Sequence, residues 1–248
     1  MKRWDAAAYA AVILLVVGIL SGTLSVRTFR IQSDSMMPTL LNGDYILVNQ
    51  AAYGLRVPFT NKPYLILSPP QRGDVVVFRH PDDTYAYAMK RVIGLPGDHV
   101  ELRAGELFIN GKAVPSSSTG VYNDGCYVDM ALSSEQLARH RFEVLFCPVP
   151  LQASPVLPPS CDRPYSSAYI CSQDPDAAGE SLTAVTDERV PPGHYFLIGD
   201  NRDNSEDSRI YGPVPADNLA GKAVLIGFSW DLRRGGGPLW SRIGKAIP

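Results

Sequence analysis

The sequence predicts a mainly β protein with one apolar helix at its N-terminus. Three observations carry this reading. From Ala6 to Val26 no charged residue occurs, about the 20 residues that a bilayer-spanning helix needs. Beyond that run, short stretches rich in Val, Ile, Leu, Tyr and Phe alternate with Gly-Asp and Asn-Gly turns, the pattern of strands joined by tight connections. Gly and Pro number 21 each, which suits a turn-rich β domain better than a helical one.

Length and composition bound the function. A chain of 248 residues, 45% of them hydrophobic, is enough for an anchor and one sizeable core, with or without an insertion. A net charge of -2 argues against nucleic acid as a partner, which calls for a basic face. None of the four cysteines (Cys126, Cys147, Cys161, Cys171) forms a C-x-x-C pair, and His80, His99, His140 and His194 are scattered, which argues against a zinc site. Cysteines beyond an apolar span read as disulfides in an oxidising compartment, with buried free thiols as the alternative.

In chain order, residues 1–5 form a short polar N-terminus, expected in the cytoplasm, and 6–26 the transmembrane helix. A cleaved leader is the competing reading, with Thr23-x-Ser25 as a poor cleavage site. Lys2 and Arg3 on one side nearly balance Arg27 and Arg30 on the other, so charge does not set the orientation; the cysteines favour placing the C-terminal domain outside the cytoplasm. Next comes Ser33-Asp34-Ser35-Met36-Met37-Pro38-Thr39-Leu40. In an extended chain Ser33 and Ser35 face the same side, so this stretch reads either as a polar turn or as a pair of hydroxyls aimed at one point.

Gly43-Asp44 turns into the β run Tyr45 to Val48. Tyr53 to Pro58 reads as a loop and Asn61 to Gln71 as a Pro-punctuated connection. Val75 to Arg79 is apolar on both faces and therefore central. Pro81 to Thr84 is a hairpin turn, and Tyr85 to Ile93 the returning strand, carrying Lys90 and Arg91 on opposite faces with Arg91 free to stay in water. His99 to Leu102 and Glu106 to Ile109 come next, the latter ending at the Asn110-Gly111 turn.

Residues 112–190 change character, with Ser116 to Ser118 and many prolines, and read as an inserted β and loop subdomain in a domain of 27–111 and 191–248. Two strands, Tyr127 to Leu132 and Arg141 to Phe146, flank a polar turn over Ser133 to His140. A symmetric hairpin there sets Cys126 opposite Cys147, which predicts Cys126–Cys147 and Cys161–Cys171 bridges. Tyr195 to Ile198 resumes the β pattern and leads into the dense polar run Gly199 to Arg209, and Ala223 to Phe228 is the last strand.

A serine nucleophile needs a base. Here no histidine sits in a convincing motif, whereas Lys90 lies in the uncharged stretch Tyr87-Ala88-Met89-Lys90 opposite Val75 to Phe78. Burial favours a neutral, basic amine; the ordinary alternative is a strand lysine reaching solvent.

Five blocks, in order, resemble the bacterial type I signal peptidases, membrane-anchored Ser–Lys endopeptidases that remove secretory signal peptides. They are Ser33 to Leu40, Gly43 to Val48, Arg72 to Phe78, Lys90-Arg91-Val92-Ile93-Gly94-Leu95-Pro96-Gly97-Asp98, and Gly199 to Arg209 with Gly212. The resemblance departs at Gln32, where many relatives carry Pro, and at Ala88, where some carry an aromatic. It implies an antiparallel β catalytic domain, with Ser35 as nucleophile and Lys90 as general base. It assigns Ser33 to the oxyanion and Ser205 to orienting the lysine, with Asp207, Arg209, Asp200 and Arg91 as supporting charges. Ile31, Met36, Val77 and Met89 are the expected lining of pockets for small residues one and three positions before the cut. The partners implied are preprotein signal peptides, the lipid bilayer of the bacterial inner membrane and the neighbouring translocon, with one span and the catalytic domain on the outer side; no metal or cofactor is implied. A Ser–Lys autoprotease and a catalytically silent membrane-anchored β-rich binding protein are the rival readings.

Overall fold

The computed structural model describes residues 8–13, 26–56, 63–66, 68–81, 86–103, 105–124, 127–147, 186–232 and 236–248. Along them run β1 (Val26–Arg30), β2 (Asp44–Asn49), β3 (Gly54–Arg56), β4 (Pro63–Ile66), β5 (Val75–Arg79), β6 (Tyr87–Gly94), β7 (His99–Arg103) and β8 (Glu106–Ile109). After these come β9 (Lys112–Ala113), β10 (Ser116–Asp124), β11 (Tyr127–Leu137), β12 (His140–Phe146), β13 (Thr186–Arg189), β14 (His194–Ile198), β15 (Val214–Pro215) and β16 (Leu219–Ser229). The fold is mainly β and its paired strands are antiparallel.

The main sheet has seven strands in the order β1-β2-β16-β5-β6-β14-β15. β5 lies in its middle for the reason its sequence indicates. Val75 and Val77 enter one apolar cluster with Ile31, Met36, Leu40, Ile46 and Val48, while Val76 and Phe78 enter another with Val92, Leu197 and Leu219. A strand buried on both faces has no polar side to offer solvent. A second sheet, β13-β7-β8-β9, and a third, β10-β11-β12, flank the first. The β8–β9 turn uses Asn110 and Gly111 at φ 53 and 73°, the positive-φ pair that a tight hairpin demands.

Several expectations change. Tyr53 to Pro58 is not all loop, because β3 pairs with β4 in the Pro-punctuated stretch. Val26 opens β1 and pairs with Asn49, so it leaves the expected span. Of 6–26, only 8–13 and Val26 lie within the described residues; 8–13 are helical and exposed, and among the described residues no helix is long and apolar enough to cross a membrane. The rest of the span, with Cys126, Cys161 and Cys171, lies outside them.

The β11–β12 hairpin is longer than its sequence indicates. Leu137 pairs with His140, so the turn is Ala138-Arg139 and the stretch from Ser133 to Leu137 is strand. Buried Glu135 and Leu137 alternate with more exposed residues; this period of two holds the segment in the sheet although its composition is polar. The register pairs Ala131 with Phe146, which puts Met130, not Cys126, level with Cys147. Cys147 is buried and disulfide-bonded, to a sulfur outside the described residues. The outer parts of 112–190 join the second sheet through β9 on β8 and β13 on β7.

Candidate active site

The turn that carries the two serines is pinned by the apolar residues just after them. Met36, Met37 and Leu40 are buried in two different clusters. The turn closes with Met37 N–H donating to Asp34 O at 3.1 Å and Leu40 N–H to Met36 O at 2.9 Å. These apolar anchors fix Ser35, which is 8% exposed, while Ser33 remains exposed. The two hydroxyls lie 3.3 Å apart, so the shared facing read from the sequence holds.

Lys90 reaches the turn from β6. Its Nζ donates to Ser35 Oγ at 2.7 Å, and the residue is 4% exposed. Burial pushes the amine down to about 8 from its ordinary 10.5; Asp207 partly opposes the shift and Arg209 adds to it. An ammonium transferred from water to a site without a contacting carboxylate loses much of its advantage over the neutral amine.

The run after β14 supplies the frame. Asp207 caps the one-turn helix Ser208–Tyr211 and accepts from Gly199 N–H at 3.0 Å, Ser205 Oγ at 2.7 Å and Arg209 Nε at 2.7 Å. Burial alone would raise its carboxyl, but Arg209 and these donors outweigh that and hold it below the usual carboxylate range. Ser205 thus gives its proton to Asp207, and the Lys90 amine donates to Ser35 rather than to Ser205. Gly199 passes so close to the turn that a Cβ there would collide with Ser205 Oγ and the Ser35 carbonyl oxygen, a close approach that only glycine permits.

Arg91 leaves β6 on the face opposite Lys90, as alternation requires, but it does not stay in water. It is 0% exposed. Its guanidinium grips Asp200 through Nε at 2.8 Å and NH2 at 2.7 Å, donates to Gly73 O and Pro248 O at 2.7 Å each, and stacks 3.8 Å from the Phe142 ring centroid. Sequence alternation sets the face and not the cover, which here comes from β12. Thr39 Oγ1 also donates to Asp200, at 2.5 Å, linking this pair to the serine turn.

A cleft of about 360 Å³ runs beside the two serines, with residues 29–33 and Met36 on one wall and residues 87–90 on the other. Ile31, Met36 and Met89 lie on it; Val77 is fully buried beneath, across the β5–β6 ladder from Met89. Both walls offer free backbone. β1 is an edge strand, and β14 pairs with β6 only from Arg91 to Gly94, leaving 87–90 without a strand partner on that side among the described residues.

Sequence reasoning missed Asn201, whose N–H donates to Ser35 O at 3.0 Å and whose Nδ2 donates to Asp34 O at 3.1 Å. Its signal was only membership of the polar run. It also missed the buried Arg202–Glu135 pair, bidentate at 2.7 and 2.6 Å, for which no local signal exists because the partners meet through tertiary packing. Among the described residues no three His, Cys, Asp or Glu side chains gather as a metal site, and the histidines lie elsewhere, His80 against the Tyr211 ring and His99 on Asp187.

A family model described as signal peptidase, peptidase S26, matches residues 3–228. The chain belongs to the S26 signal peptidase family. The signal peptidase I of Pseudomonas fluorescens is 36% identical over 94% of this chain and 75% of its own length, and that of Pseudomonas aeruginosa matches with the same figures. Among solved structures, a signal peptidase I from Enterococcus faecalis covers 63% of this chain and 97% of its own at 26% identity, with a TM-score of 0.32, too low to bear on the fold. Within this S26 chain, Ser35 and Lys90 are brought together by residues from both of the segments that flank 112–190.

Proposed function

We propose that this chain is a serine endopeptidase that removes signal peptides from exported preproteins, with Ser35 as nucleophile and Lys90 as general base. The observation that carries the assignment is the 2.7 Å contact between Lys90 Nζ and Ser35 Oγ, with the amine buried and pushed down to about 8. Neutral Lys90 takes the Ser35 proton as Oγ attacks the scissile carbonyl carbon. The oxygen of the tetrahedral intermediate takes up negative charge beside the Ser35 N–H and the Ser33 hydroxyl; donors aimed at such a charge contribute a few kcal/mol. The Lys90 ammonium then gives its proton to the leaving amine as the C–N bond breaks. In the acyl-enzyme, Lys90 draws a proton from water, whose oxygen attacks the ester carbon; as the C–O bond to Ser35 breaks, the ammonium returns that proton to Oγ. Asp207, Arg209 and Ser205 hold the frame around the lysine, and Asp200 with Arg91 holds the serine turn from below.

The substrate lies extended between the two free strand edges, as in β-augmentation. Alternate side chains then point into the cleft, and Ile31, Met36 and Met89 leave room there for small residues one and three positions before the cut, with Val77 as the floor. Residues 27–111 and 191–248 form the catalytic domain and 112–190 the insertion. Residues 6–25 anchor the chain as a single span of the bacterial inner membrane, near the translocon and with the catalytic domain on the outer side. The uncharged run and the disulfide at Cys147 support that topology, because disulfides persist in oxidising compartments.

The test is cleavage of a preprotein panel by the detergent-solubilised protein, with the cut located by mass spectrometry. Ser35→Ala and Lys90→Met are expected to be inactive and folded, and the unmodified protein to gain activity as pH rises through about 8. Substantial cleavage by Ser35→Ala overturns the assignment, as does a flat profile from mildly acidic to alkaline pH.

A further inference from the structure

The polar contacts on the serine turn do not all come from the segments that carry Ser35 and Lys90. β11, in the segment 112–190, sends Tyr127 to it. The Tyr127 side chain is buried among Met37, Leu41, Met130, Leu145 and Cys147. Its hydroxyl donates to Asp34 Oδ2 at 3.0 Å and accepts from Asn204 Nδ2 at 3.0 Å. One hydroxyl thus ties the turn before β2 to the polar run after β14. Asp34 Oδ1 is buried and has no partner among the described residues, so this carboxylate leans on Tyr127.

Asp34 matters because of the peptide bond on its C-terminal side. The Asp34 carbonyl and the Ser35 N–H belong to one planar unit, so whatever orients the carbonyl aims the N–H. Asn201 Nδ2 holds that carbonyl oxygen at 3.1 Å, and Tyr127 holds the side chain of the same residue. We propose that Tyr127 is a positioning residue for the reaction: through Asp34 it aims the Ser35 N–H at the developing oxyanion. The inserted β11–β12 hairpin is then part of what makes the site work. The inference rests on Ser35 being the nucleophile.

Tyr127→Phe removes both hydrogen bonds and keeps the ring. Because the oxyanion forms only after binding, kcat is expected to fall about tenfold, the size of one lost charge-assisted hydrogen bond, with KM nearly unchanged. The pH at which activity rises stays in place, since Lys90 is untouched. Rates are referred to the amount of Ser35 that a serine-directed acylating probe labels, so unfolded enzyme drops out. Asn204→Ala, which leaves the tyrosine in the core, is expected to act in the same direction by a smaller factor. In Tyr127→Phe/Asp34→Ala the two losses do not multiply, because both act on one contact. A wild-type kcat per labelled serine in Tyr127→Phe overturns the proposal, and so do losses that multiply in the double variant. Ser35→Ala run in parallel separates the two levels: cleavage by it sinks the nucleophile assignment, whereas an inactive Ser35→Ala beside a fully active Tyr127→Phe sinks only the role of Tyr127.

Discussion

Lys90 and Arg91 are neighbours in one strand, both basic and both excluded from water, and the protein treats them in opposite ways. On one face of β6, Lys90 meets a hydroxyl at 2.7 Å, and the acids that attract it act through space rather than by contact. On the other face, Arg91 meets Asp200 through two nitrogens and lies over an aromatic ring. Burial is common to both, so burial alone does not make a base. What distinguishes the faces is whether a carboxylate touches the cation. Without one, burial lowers the lysine to about 8, which suits the proposed role of base. Arg91, a guanidinium charged at any working pH, has a carboxylate as its partner and serves as a structural rivet.

The contrast is broken most severely by Lys90→Arg. Arginine holds its proton at any working pH, so base catalysis disappears and preprotein cleavage is expected to fall roughly a hundred- to ten-thousandfold, measured as kcat/KM. Next is Asp200→Ala, which strands Arg91 as a buried charge. Losing one partner of such a pair costs roughly 3–5 kcal/mol, read as a lower denaturant midpoint. Asp207→Asn sharpens the comparison. It removes the attraction that raises Lys90 and leaves the Arg209 repulsion that lowers it. The lysine therefore becomes neutral at lower pH, and the rise in activity is expected to move to the acid side of about 8; a shift to the alkaline side contradicts this. The smallest effect is that of Arg103→Ala. Arg103 pairs with Glu101, but its side chain is 61% exposed, and stability is expected to change by no more than about 1 kcal/mol in a thermal melt.

Legibility in the sequence depended on how local each signal was. The strands β2, β5, β6, β7, β8, β14 and β16 carry runs of branched and aromatic residues beside turn residues, and all were readable. β3 lies where the sequence reads as loop, and β1 begins within the apolar run, because pairing with a neighbour and not composition makes them strands. In the site, Ser33, Ser35 and Lys90 stood out by spacing and by an uncharged neighbourhood. The opposite facing of Lys90 and Arg91 was readable too, while the burial of Arg91 was not, since its cover is Phe142 of a distant hairpin. Tyr127, Glu135 and Asn201 act through contacts between residues far apart in sequence, and no short window contains both partners. The polar composition of Ser133 to His140 misled for a related reason: Glu135 is inside because Arg202 waits for it.

Gly199 sets a limit on the site that its hydrogen bonds do not. The Asn201 N–H bonded to Ser35 O is a tether, and keeps the serine turn from drifting away from the polar run. The bare backbone of Gly199, pressed against Ser35 O and Ser205 Oγ, is a stop, and keeps the two from drifting together. Pull and push act within three residues of each other, so the gap between Ser35 and the polar run is gauged by the thickness of one main chain. A single methyl group there would act as a shim, forcing that gap open.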